Sequence, residues 1–297
     1  MAVNVVAVWA LLAQSGECPS ALEAGQRAYN SRNYTLAVTE FERARITCSD
    51  RAAVLLALGQ AQLMAQRLDE SVATLDTLLK LDARHVDALK LRGDALYILG
   101  READAEKTLL AALQVEPSHT GARYALGRIY YQQNRFPEAI EMFKKLIELD
   151  PGHFRAHDNL GLCYAAVRQD TDAIRHFVKS LDLVHKAHPE YDTVYANAAN
   201  FFLERNDFQK AFQLGAEAAK RNPKAARNFF LTGKALARLE KSELSIRWFQ
   251  QAAELDPAYT EPHYWLANVY RKLGKSEEAN QSLARFRELS KAPKVKR

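Results

Sequence analysis

Apolar residues along this chain recur every three or four positions. In LGRIYYQQNRFPEAIEMFKKLIELDP, residues 126–151, Leu126, Tyr130 and Phe143 fall on the stripes of two amphipathic helices. Between the stripes, Asn134 suits a left-handed residue ending the first helix. Pro137 fits the first turn of the second, where no backbone donor is lost, and Pro151 ends it. No stretch alternates with the period of two that a sheet needs. The pattern predicts a helical hairpin and an all-α chain.

The hairpin repeats. Its skeleton returns in LGLCYAAVRQDTDAIRHF and in LANVYRKLGKSEEANQSL. Gly25, Gly59, Gly93, Gly127 and Gly161 stand 34 residues apart, and the next in register, Gly233, follows after 72. Pro117 and Pro151 are 34 apart, Pro151 and Pro223 are 72 apart, and Pro223 and Pro257 are again 34 apart. Two residue types with different conformational roles thus report one period and one four-residue insertion. Gly127 and Ala139 are small enough for two helices to approach closely. Gly100, Asn206 and Gly274 share the place of Asn134.

These residues and this spacing resemble the tetratricopeptide repeat, a 34-residue helix–turn–helix unit. The resemblance covers almost the whole chain and implies a right-handed superhelical solenoid of about eight hairpins. Units fall at 18–51, 52–85, 86–119, 120–153, 154–187, 192–225, 226–259 and 260–293, with His188-Pro189-Glu190-Tyr191 inserted. Units three, four and eight match best. In the first, Ala28 replaces a large residue, and in the sixth Ala199 replaces the glycine. The insertion is expected to lengthen a linker, with Pro189 stopping any helix, and to mark a division into 18–187 and 192–293.

At 297 residues the chain exceeds a typical single domain, but a solenoid grows by adding units that pack on their neighbours. The formal charge of +5 comes largely from Lys291, Lys294, Lys296 and Arg297. That basic tail, 294–297 with Lys291, reads as solvated terminus, and the rest lacks the basic stripe that nucleic-acid binding needs.

Residues 1–17 match no repeat. The apolar run Ala2 to Ala13, broken only by Asn4, is too short to span a bilayer as a helix. With small residues at Ala13, Ser15 and Gly16 it looks like a secretory signal cleaved after Ala13 or Ser15, although no Lys or Arg precedes it. The alternative is an apolar helix on the first repeat. Cys18 opens the first helix of unit one and Cys48 lies near the end of its antiparallel partner, so a hairpin brings them together. A bridge there persists only in an oxidising compartment, which favours a periplasmic or secreted protein over a cytoplasmic one. The competing reading is two reduced thiols. Cys163 reads as a small buried residue.

Chemistry-bearing motifs are scarce. No phosphate-cradling glycine loop, nucleophile elbow or HExxH is present, and no cofactor is implied. HFRAH places His153 and His157 four apart, the spacing of two ligands on one helix face, but the Pro151-Gly152 break precedes it. His185 and His188 lack further ligands too. Asp170 and Asp172 sit where a turn expects polar residues. The expectation is no metal and no enzyme.

What remains is the concave face that the resemblance assigns to the first helices. There it places Lys90, Asp94, Tyr97, Tyr124, Arg128, Tyr131, Arg155, Asp158 and Asn159, then Asn197, Asn200, Arg227, Phe230, Lys234, Arg238, Tyr264 and Asn268. Tyrosine and arginine carry binding energy at interfaces, and asparagine satisfies both donors and acceptors of a peptide backbone. The basic and asparagine clamp of chaperone adaptors is incomplete. Lys90, Arg155 and Asn159 suit it, but Asp94 and Ala125 stand where asparagines are needed. Arg227, Lys234 and Arg238 share one helix, and Lys234 and Arg238 are four apart on one face. The function expected is therefore a protein- or peptide-binding adaptor preferring an extended acidic segment, exported and envelope-associated. Glu204 and Glu261 are placed to neutralise those cations. The alternative is a structural or oligomerising scaffold with an unoccupied groove, its oligomeric state open.

Overall fold

The structure, a computed structural model, describes residues 17–188 and 190–291. The signal-like segment, Pro189 and the basic tail beyond Lys291 lie outside the described residues. Among the described residues there are sixteen helices and no strand. In chain order they are α1 Glu17–Asn30, α2 Tyr34–Thr47, α3 Arg51–Met64, α4 Leu68–Leu81, α5 Val86–Ile98, α6 Glu102–Val115, α7 Thr120–Gln132 and α8 Phe136–Leu149. There follow α9 Phe154–Ala166, α10 Asp170–Ala187, α11 Thr193–Glu204, α12 Phe208–Arg221, α13 Ala226–Arg238, α14 Ser242–Leu255, α15 Thr260–Lys272 and α16 Ser276–Lys291. They pair as eight hairpins, the number that the 34-residue period predicts.

Two compact units result, one ending at Pro151 and one starting at Gly152. In the first, consecutive helices α1 to α8 pack on one another, and the first helices α3, α5 and α7 also meet directly. In the second, α9 to α16 do the same, with α9, α11, α13 and α15 in direct succession. The insertion at 188–191 lies inside the second unit.

The expected close approach is present inside six of the hairpins, at Gly25, Gly59, Gly93, Gly127, Gly161 and Gly233. A Cβ on Gly127 would stand 2.8 Å from the Phe143 ring, and one on Gly161 would stand 2.8 Å from Phe177. Leu126, Phe143 and Phe177 are fully buried. Unit six inverts the sizes. Ala199 takes the glycine position, and the place sixteen residues on holds Gly215, closed in by Thr232 at 2.7 Å from a built Cβ.

Turns between paired helices carry the period in the backbone itself. Gly100, Asn134, Asn206 and Gly274 have positive φ, as expected. Arg32, Gln66, Arg168 and Glu240 do so too, at φ 61°, 61°, 62° and 63°. Residue type conceals these four, because none favours the left-handed region. Pro137 sits in the first turn of α8. Three histidines supply a further device. His85, His119 and His153 precede α5, α7 and α9, and each Nδ1 accepts from the backbone N–H three residues on, at 3.4, 3.0 and 3.0 Å.

The insertion departs from expectation. Its residues are expected to lengthen the linker, but α10 has 18 residues where α8 and α12 have 14. The extra residues form one more helical turn, because nothing in LVHKAH breaks a helix before Pro189. The remaining link folds back onto α9: the rings of His188 and Tyr191 lie 4.8 and 4.9 Å from Phe154.

Cys18 and Cys48 are joined by a disulfide, with Cα atoms 5.0 Å apart. It ties the start of α1 to the residue after α2, in a cluster with Ala21, Ala44 and Val54. Cys163 is free and fully buried, and burial pushes its thiol up to about 12.

Candidate functional site

In the first unit, the predicted face is built by α5 and α7. Lys90 is neutralised by Asp94 one turn along α5, at 2.8 Å. The exposed Arg128 lies over two tyrosines, 5.8 Å from the Tyr97 ring and 5.9 Å from the Tyr124 ring. Burial, the larger effect, raises the Tyr97 phenol despite the nearby cation. Tyr131 meets Phe136 edge-on at 5.7 Å. Much of the chemistry of this face is thus directed inward.

In the second unit, Arg155 is exposed and lies over Phe154 at 5.3 Å and Tyr191 at 5.5 Å. Asn159 donates to the Arg155 carbonyl at 2.7 Å, and Asn200 donates to Glu204 at 2.9 Å. Phe230 departs from its predicted role. It is buried against Phe249 and Tyr259, at 5.9 and 5.2 Å, and belongs to the core. Tyr264 is exposed beside Phe286 at 5.5 Å, and Asn268 accepts from Arg271 at 3.4 Å.

Three successive first helices are joined by a polar relay. Asp158 of α9 is 5% exposed, and its Oδ2 accepts from Asn197 Nδ2 of α11 at 2.8 Å. The Asn197 Oδ1 in turn accepts two bonds from the Arg227 guanidinium of α13, each 3.2 Å. Asp158 Oδ1 has no hydrogen-bond partner among the described residues. Burial pushes this carboxyl up to about 7, with the Asn197 bond and the Arg227 charge pulling the other way. Sequence reasoning places Asp158 at the surface of the groove; tertiary packing puts it beneath.

The cations of α13 are differently placed from Lys90. Lys234 lies 5.8 Å from the Trp265 ring. Arg238 lies 4.7 Å from the Phe208 ring and donates to Asn206 Oδ1 at 3.3 Å. Among the described residues, none of Arg227, Lys234 and Arg238 forms an ion pair with a carboxylate. The two expected neutralisers are engaged elsewhere: Glu204 with Arg205 at 3.5 Å, and Glu261 with the Thr260 hydroxyl at 2.7 Å. The aromatic platforms Phe208 and Trp265 escape sequence reasoning, although each lies about one repeat from the cation it supports.

The histidine candidates are occupied. His153 caps α9, and His157 Nδ1 meets His176 Nδ1 at 3.0 Å. Among the described residues, no group of three or more His, Cys, Asp or Glu is arranged to hold a metal, and no helix is long and apolar enough to cross a membrane.

Comparison with known families matches tetratricopeptide repeats over residues 22–76, 56–121 and 96–161, and again over 233–274 and 263–290. A solved tetratricopeptide repeat protein from Parabacteroides merdae is similar at 17% identity and a TM-score of 0.64, covering 90% of this chain and 99% of that one. MamA from Desulfovibrio magneticus RS-1, residues 41 to the end, is similar at 22% identity and a TM-score of 0.52, covering 59% of this chain and 98% of that one. At these identities the likeness concerns the fold. Repeats of this kind support a protein-interaction or scaffold role.

Proposed function

The chain belongs to the tetratricopeptide repeat family, and from that premise we propose that it is a non-catalytic adaptor whose second unit docks an extended, acidic protein segment. The observation that carries this reading is the set Arg227, Lys234 and Arg238 on α13: three cations, none of which forms an ion pair with a carboxylate among the described residues, the expected neutralisers Glu204 and Glu261 being engaged elsewhere. Phe208 and Trp265 hold two of them by ring contacts worth about 0.5–1 kcal/mol each at exposed sites. Side chains held in place lose less freedom on binding, and charge-assisted bonds to carboxylates are the stronger kind. In the first unit Asp94 already neutralises Lys90, which leaves that cation less charge to offer an acidic segment. The Cys18–Cys48 bridge supports an exported location, since disulfides persist in oxidising compartments.

The test is a Lys234→Glu/Arg238→Glu variant. Binding to a Glu-rich segment should weaken at least tenfold, about 1.4 kcal/mol, with helicity retained. Unchanged affinity in the folded variant favours a structural scaffold with an unoccupied face.

A further inference from the structure

The relay beneath that face has its own consequence, resting on the reading of the face as an acidic-segment site. We propose that Asp158 is a proton-linked positioning residue: by taking up a proton it tightens the hold of the second unit on an acidic segment, acting through Asn197 on Arg227.

Ionised Asp158 is buried, and only one of its oxygens is hydrogen-bonded. The cation that offsets it is Arg227, one helix further on. A buried carboxylate is costly unless it is paired and fully bonded. An incoming acidic segment takes hold of the same guanidinium and brings further negative charge. Its arrival therefore raises the cost of an ionised Asp158, and the carboxyl takes a proton from solvent. Asn197 still donates to the neutral carbonyl oxygen, so the relay stays connected while its charge falls. A complex that holds more protons than its separated parts tightens as pH falls. The region is set by a carboxyl that burial already holds at about 7.

Helix α9 packs on α10 and α11. From α10 comes His176, bonded to His157; from α11 comes Asn197, with Glu204 at its far end held by Asn200 and Arg205; Arg227 reaches in from α13. An Asp158→Asn variant keeps both histidines, so a pH dependence that persists in the variant is assigned to them and not to Asp158.

The experiment measures binding of a short synthetic Glu-rich peptide at constant ionic strength, to the intact chain and to Asp158→Asn. The intact chain should bind about fivefold tighter at about pH 6 than at about pH 8, and the variant should lose this dependence. Equal pH dependence in both proteins, or none in the intact chain, overturns the proposal and leaves the acidic-segment reading standing. A second measurement needs no variant. In the free chain, the ¹³C signal of the Asp158 carboxyl and the Arg227 Nε–H signal should titrate together near neutral pH. A carboxyl ionised throughout overturns the proposal. If the peptide binds at neither pH while the two signals still move together, the acidic-segment reading fails and takes the regulatory role with it. The Asp158–Arg227 coupling alone then survives.

Discussion

The ammonium of Lys234 lies 5.8 Å from the centre of the Trp265 ring and has no carboxylate partner among the described residues. A half-buried cation without a carboxylate partner keeps its charge available to an approaching ligand. Lys234→Gln alone should therefore weaken binding of a Glu-rich peptide by a few-fold, about 0.5–1 kcal/mol. Raising the salt concentration should narrow the gap between variant and parent, because exposed charges are screened. Titration calorimetry at two ionic strengths reads both effects; a gap indifferent to salt would assign the loss to shape rather than charge.

Asp158 should also leave a mark on stability. Burial raises its carboxyl from the ordinary 3.8 to about 7, so between those values the folded chain holds a proton that the unfolded chain has released. Stability from this group is full below the unfolded value, falls as pH rises toward about 7, and is level above it. Urea melts of the parent should lose stability across that window relative to Asp158→Asn. Parallel curves would mean that the carboxyl is ionised in both states.

Gln66 sits in the left-handed region at φ 61° and is exposed. Replacing it by glycine, which adopts that conformation freely, should stabilise the chain by about 0.5–1 kcal/mol. Gly100, one repeat on at φ 76°, already uses this solution, and Gly100→Gln should cost a similar amount. Thermal melts of the two variants should move in opposite directions.

Cys18 and Cys48 enclose a segment with a sequence separation of 30. Replacing both by alanine should destabilise the first hairpin by about 3–4 kcal/mol in the chain-entropy treatment, seen as lost amide protection in α1 and α2. Cys163, fully buried on α9, should resist alkylation until denaturant opens the second unit. Ready alkylation of Cys163 in the folded chain would contradict its packing.

The eight hairpins are legible in the amino-acid sequence because their signals are local or strictly periodic. A glycine facing a large residue sixteen positions on, as Gly127 faces Phe143, is written into a single repeat. Asn134 and Gly100 announce their left-handed turns by residue type, whereas Arg32 and Glu240 adopt the same φ without any such signal. The insertion can be counted from the spacing, but its form as an extra turn of α10 depends on how far the helix runs before Pro189.

Sequence alone determined the architecture, since helical period and repeat length follow from spacing along the chain. Tertiary structure alone decided what each side chain expected on the first-helix face does. Lys90 and Lys234 are the same residue type on equivalent helices, yet one is paired with Asp94 and the other rests beside Trp265. Phe230 turns into the core, and Asp158 sinks beneath Asn197. The Lys234 and Asp158 outcomes depend on distances of a few ångströms to residues 31 and 39 positions away, where desolvation and pairing are settled by the neighbouring hairpin.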